Sequence, residues 1–222
     1  MDFIFMMTSG DRTVGDCLDV LDEVAGLGLR HIGFKDVGVP PEALDTLHRR
    51  IKESGAISYL EVVSLTPEAT RQSARSARRL GVDRVLGGGN PAAVLSEIRG
   101  SRIEYFPFVG RPEGHPTELA GSPEEIAADC RRADELGCAG VDLLAFRSIE
   151  GRPLELVRAA RRALVGRLIV AGSVDSPGRV EELHALDVDG FTVGTALFER
   201  RFMPGEPSLR AQVAAALAAS KA

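Results

Sequence analysis

Short apolar runs of four to seven residues alternate along this chain with longer segments whose apolar positions recur every three or four residues. The short runs predict eight strands, over residues 2–7, 30–35, 57–63, 82–86, 102–108, 140–146, 167–171 and 189–193. The longer segments predict helices over 13–27, 40–54, 66–80, 90–99, 122–136, 152–164 and 176–186, with an Ala-rich helix at 208–219 closing the series. Several open on helix-start signals, as in Thr66-Pro67-Glu68, Ser122-Pro123-Glu124-Glu125 and Ser176-Pro177. Strict strand/helix alternation with short connections predicts a (β/α)8 TIM barrel in a single domain, residues 1–222. An open doubly wound sheet is the alternative, and the lack of a GxGxxG after the first strand counts against its dinucleotide-binding form.

The last third carries the clearest chemical signal. The seventh strand runs into Ala171-Gly172-Ser173-Val174 and the eighth into Gly194-Thr195-Ala196. Neither glycine has a Cβ, so backbone N–H groups can approach an anion closely, and a helix starting at Thr195 turns its positive end to the same place. That arrangement holds a phosphate through Gly172, Ser173, Gly194 and Thr195 without a lysine. Segment 57–90, ending Leu86-Gly87-Gly88, repeats the layout of 168–195, which places strands 3 and 4 opposite strands 7 and 8. Its first turn, Val62-Val63-Ser64, lacks the glycine, so one phosphate site is expected rather than two.

The segment 168–202 resembles the corresponding end of the histidine-biosynthesis barrel isomerases and their phosphate-binding relatives, among them ribulose-phosphate epimerases and phosphoribosylanthranilate isomerases. The resemblance covers about a third of the chain. It implies that the backbone amides at Gly172, Ser173, Gly194 and Thr195 hold a substrate phosphate. The isomerases of that pathway use aspartates at the ends of strands 1 and 5; here those strands end Met6-Met7-Thr8 and Pro107-Phe108-Val109. Their acid/base pair is absent and their reaction does not transfer.

A substitute is expected at other strand ends. In His31-Ile32-Gly33-Phe34-Lys35, period 2 turns His31, Gly33 and Lys35 to the barrel axis; in strand 3 it turns Tyr59 and Glu61 inward. Lys35 and Glu61 then stand side by side at the mouth, where they can move a proton on a carbon next to a carbonyl. A structural ion pair is the competing reading. Arg147, after strand 6, and Arg111 and His115, in the loop after strand 5, are candidate substrate contacts. Asp36 is placed in the helix layer or at a cap, His31 in the packed core, and Asp142 near the bottom of strand 6 with a role in stability. The resulting expectation is a cofactor-independent isomerase or epimerase of a small phosphorylated sugar or sugar acid. A Schiff-base aldolase using Lys35 is the second reading. A non-catalytic barrel that binds a phosphorylated metabolite is the third.

Composition narrows the partners. Net charge is −5 with basic residues scattered among acidic ones, which excludes a nucleic-acid footprint. Cys17, Cys130 and Cys138 lack metal-ligand spacing and the four histidines fall on separate elements, so neither a disulfide framework nor a metal site is expected. No apolar stretch approaches the ~20 residues of a membrane span and no basic leader precedes the first strand, so the expectation is a cytoplasmic protein. Phe198 and Phe202, near the C-terminal helix, are placed to cover either the barrel floor or a partner, for which a second copy of the chain is the candidate.

Overall fold

The computed structural model describes residues 1–63, 66–114 and 117–221. Within them the eight main strands are β1 (Asp2–Met6), β2 (His31–Lys35), β3 (Ile57–Val62), β4 (Arg84–Gly87), β5 (Glu104–Phe106), β6 (Gly140–Leu143), β7 (Arg167–Val170) and β8 (Gly190–Val193). They pair in parallel in the order β6-β7-β8-β1-β2-β3-β4-β5. A parallel bridge between Phe108 and Asp142 joins the two edges, and the Asp142 N–H donates to the Pro107 carbonyl at 2.8 Å. The sheet is thereby closed into a barrel, with helices between successive strands on its outside, as Pro41–Glu53, Pro67–Leu80 and Pro123–Glu135 illustrate. Proline fills the first helical position of all three, where no N–H is needed, and a full capping box of Ser122 and Glu125 opens the third.

Strand alternation separates two cores, because successive side chains point to opposite faces. Phe3, Phe5, Ile32, Phe34, Leu60 and Val62 face the helices in the larger one, while Ile4, Met6, Tyr59, Leu86, Phe106 and Ile169 fill the barrel itself. Beneath that inner belt lies a polar floor. His31 Nδ1 is 2.9 Å from the Tyr59 hydroxyl, Asp2 pairs with both His31 and Arg167, and Arg84 pairs with Glu104. Burial pushes the Tyr59 hydroxyl up to about 12 and the His31 imidazole below its ordinary value. His31 is thus a packed, hydrogen-bonded residue of the floor.

The register sets the levels above. With the stagger of an eight-stranded barrel, it puts Gly33, Leu86, Asp142 and Thr192 in one interior layer, Met6, Glu61 and Ala171 in the next, and Lys35 and Gly194 above those.

Three predicted elements come out shorter, each for a local reason. The helix expected over 13–27 is confined to Cys17–Glu23, because residues 8–13 fold into a hairpin of Thr8–Ser9 against Arg12–Thr13. Strand 5 stops at Phe106 because Pro107 cannot donate to the ladder, and a second hairpin, Arg111–Glu113 against Glu118–Ala120, follows. Strand 6 ends at Leu143, not 146, where the chain turns into a 3₁₀ segment at Ala145–Arg147. That places Asp142 next to the strand's upper end, which corrects its expected position near the bottom.

The aromatic pair near the C-terminus is used within the chain. Phe202 is buried in the larger core and Phe198 stacks on Phe5 with ring centroids 6.2 Å apart. Among the described residues no helix is long and apolar enough to cross a membrane.

Candidate active site

The site begins with the turn that follows β1. Ser9 pairs with Arg12, leaving Gly10 and Asp11 as a two-residue loop with φ of 56° and 58°. That is the geometry of a tight hairpin turn, which only residues tolerant of positive φ can occupy. The turn folds back over the barrel mouth and buries the Asp11 carboxylate. Thr13 fixes it there: the Lys35 N–H donates to the Thr13 hydroxyl at 2.9 Å, and that hydroxyl donates to the Lys35 carbonyl at 2.7 Å.

Lys35 is the hub. Its Nζ lies 2.8 Å from Asp11 Oδ1 and 3.4 Å from Glu61 Oε1, and Lys35 and Glu61 are direct partners in the β2–β3 register. Burial opposes ionisation of Asp11, but the Lys35 ammonium and the Arg147 guanidinium outweigh it and hold the carboxyl well below the usual carboxylate range. Arg147 contacts Asp11 at 3.4 Å and donates to the Thr117 carbonyl at 3.2 Å.

Across the same cavity, of about 230 Å³, stand the glycine turns: Gly172, Ser173, Gly194 and Thr195 line it together with Asp11, Lys35, Glu61 and Arg147. Gly172 and Ser173 have φ of 71° and 57°, a bend that opens the turn toward the cavity. A Cβ on Gly172 would lie 2.6 Å from Arg147 Nε, and one on Gly194 would lie 2.8 Å from both the carbonyl and hydroxyl oxygens of Thr8. Each glycine therefore admits a neighbouring element as well as leaving room for a ligand. Gly194 caps the short helix Thr195–Phe198 and brings no side-chain acceptor, so the first-turn N–H groups are not capped by a side chain. Arg201 and Asp175 complete the rim on this side and lie 3.6 Å apart.

Seven candidates from the sequence thus meet in one cavity: Lys35, Glu61, Arg147, Gly172, Ser173, Gly194 and Thr195. Arg111 does not join them; it lies exposed on the second hairpin, ion-paired with Glu125. His115 lies outside the described residues. The Asp36 carboxyl is raised by burial, against a hydrogen bond from Ser73 in the helix layer. Cys17, Cys130 and Cys138 are buried thiols.

Asp11 is not singled out by the sequence reading, and Asp142 is read there only as a stabilising residue. Asp11 follows β1 by five positions and reaches the site only through the turn; the Ser9-Gly10-Asp11 punctuation was its available signal. Asp142 is fully buried inside the barrel, and among the described residues neither of its carboxyl oxygens has a hydrogen-bond partner. Burial, with the Glu61 charge added, pushes its carboxyl well above the usual range.

Comparison with known proteins agrees with this architecture. Orotidine 5′-phosphate decarboxylase from Pyrococcus horikoshii superposes with a TM-score of 0.67 at 16% identity, covering 99% of each chain. Phosphoribosylanthranilate isomerase from Thermotoga maritima superposes with a TM-score of 0.66 at 14% identity, covering 100% of this chain and 99% of the other. The chain is a (β/α)8 barrel. Its fold neighbours include the phosphate-binding barrel enzymes that segment 168–202 resembles. In sequence it is similar to the tryptophan synthase alpha chain of Thermococcus kodakarensis, 26% identical over 215 residues that cover 87% of this chain and 86% of that one. No protein-family model matches it.

Proposed function

We propose that this barrel is an enzyme of a small phosphorylated carbonyl metabolite, a sugar phosphate or phosphorylated sugar acid, and that it isomerises or epimerises its substrate by moving a proton on the carbon next to the carbonyl. The observation that carries the reading is the Lys35 ammonium placed between Asp11 and Glu61 in the same cavity as the glycine turns. The turns at Gly172, Ser173, Gly194 and Thr195 receive the phosphate, with Arg147 between them and the carboxylates. Glu61 takes the proton, and the C–H electron pair moves into an enediolate whose oxygen is stabilised by Lys35. Asp11, held far below the usual carboxylate range, is a poor base and orients Lys35 instead. Support comes from the phosphorylated substrates named for the fold neighbours and from the resemblance at 168–202.

The geometry favours this over a Schiff-base aldolase. A nucleophilic amine at Lys35 would have to give up its ion pairs with both Asp11 and Glu61, whereas an electrophilic ammonium keeps them. The test is a thermal-stability screen against three- to six-carbon sugar phosphates, their unphosphorylated sugars and inorganic phosphate, followed by deuterium exchange at the α-carbon in heavy water. Stabilisation by one phosphorylated compound and α-exchange without borohydride trapping is the expected result. Trapping of Lys35 would replace the isomerase by the aldolase, and silence across the panel would remove the phosphate site.

A further inference from the structure

Asp142 is an ionisable group of the barrel interior, above the polar floor, that the mechanism above leaves unused. The parity of β6 sends Val141 and Leu143 to the helices and Asp142 inward. Its closest register partners are Phe108, two residues past β5, and Ile169 on β7, neither of which can accept a hydrogen bond through its side chain. Both carboxyl oxygens are buried without a partner among the described residues, an arrangement that costs stability and that a leucine of similar size would avoid. A core position that carries such a group against its own stability is a position where the group is used.

Its place in the barrel shows for what. Asp142 is not itself among the residues that line the cavity, but it shares its interior layer with Thr192, which is, so the carboxyl lies level with the cavity's lowest lining. Glu61 stands one layer above, on β3, on the far side of the axis from β6. One carboxyl therefore lines the substrate space, and the other lies level with its lowest lining residue on a different wall.

Resting on the proposed isomerase reading, we infer that Asp142 is the acid of the site: a carboxyl group level with the cavity's lowest lining that donates its proton to the substrate oxygen while Glu61 takes one from carbon. The charges agree. Asp11 and Glu61 balance Lys35 and Arg147, so the interior stays neutral only while Asp142 holds its proton. The groups that act on it from the surrounding elements are Lys35 on β2, Glu61 on β3 and Arg147 after β6, and Asp142 in turn bears on Tyr105 of β5. Burial and the Glu61 charge oppose ionisation, and the two cations only offset them in part. When the C–H bond breaks, its proton goes to Glu61 and its electron pair to the enediolate. The Asp142 O–H bond then breaks toward the enediolate oxygen, giving a neutral enediol and an Asp142 carboxylate. Loss of the proton of the enediol's other hydroxyl to Asp142, as the former carbonyl carbon takes the proton from Glu61, completes the isomerisation and restores both groups. Pairs of carboxyls whose environments drive them apart divide the acid and base roles in this way.

The experiment compares the wild type, Asp142→Asn and Glu61→Gln in α-proton exchange of the sugar phosphate that the stability screen returns, as a function of pH, with melting of each free protein alongside. Asp142→Asn keeps the shape and can donate a hydrogen bond but no proton. A loss of roughly 100-fold in kcat with little change in KM, and disappearance of the fall in kcat at alkaline pH, is expected. The free variant should melt at or above the wild-type temperature, since a structural role would lower it. Exchange that keeps its rate and its alkaline limb in Asp142→Asn overturns the inference and leaves the isomerase intact. A variant that melts well below the wild type overturns it too, by showing that the carboxyl serves the fold. No exchange with any compound overturns both readings together.

Discussion

Lys35 Nζ and Asp11 Oδ1 lie 2.8 Å apart, although 24 positions separate the two residues and only one of them belongs to a barrel strand. The contact exists because a turn of two positive-φ residues, Gly10 and Asp11, folds the chain after β1 back into the barrel mouth. It ties the hairpin to β2 and, through Arg147, to the end of β6.

Asp11→Asn tests that tie. Removing one partner of a buried pair is costly, and because Lys35 retains Glu61 the expected loss is toward the low end of the ~3–5 kcal/mol scale for such changes. The folded carboxyl is held below its unfolded value, so its contribution is present above the unfolded value near 4 and is lost as pH falls toward the folded one. Thermal melts should therefore show the gap between wild type and variant narrowing as the pH is lowered from 5 to 3. A gap that stays constant would show that Asp11 is not stabilised as an anion.

Lys35→Met leaves the Asp11 and Glu61 carboxylates in the barrel mouth without their shared cation. A loss of about 3–5 kcal/mol at pH 7 is expected. Proton exchange at the substrate carbon should fall by at least ~100-fold. Full exchange in the variant would reduce the Lys35–Glu61 pair to a structural one.

Gly194→Ala places a methyl group 2.8 Å from the Thr8 carbonyl and hydroxyl. The hairpin must move, at a cost of about 1–3 kcal/mol, and with it the wall of the cavity. Calorimetry should show a lower melting temperature together with loss of sugar-phosphate stabilisation. An alanine variant that still binds would place the anion elsewhere.

Arg111→Ala removes an exposed ion pair with Glu125 outside the cavity. Stability should change by less than ~0.5 kcal/mol and activity not at all. A rise in KM would bring the second hairpin into the substrate site.

Much of this protein follows from local periodicity. Alternation along β2 and β3 is enough to send Phe34 and Leu60 to the helices and Lys35 and Glu61 to the axis, because side-chain direction in a strand is a property of the strand itself. The glycines after β7 and β8 are equally legible, since a missing Cβ is a fact of the sequence. Asp11 and Asp142 were not legible as site residues. The first depends on where a hairpin closes, and the second on a strand ending three residues before its apolar run does.

The sequence by itself determined the repeating strand and helix units, the inward face of each strand and the glycine turns after β7 and β8, all of which depend on neighbours along the chain. The tertiary structure decided which ionisable groups share a cavity. Closure of the barrel through Phe108 and Asp142 brings β6 round to enclose the same interior as β2 and β3, and burial there sets the charge state of Asp142. Burial and Coulomb interaction depend on distance in space, and no spacing along the chain encodes them.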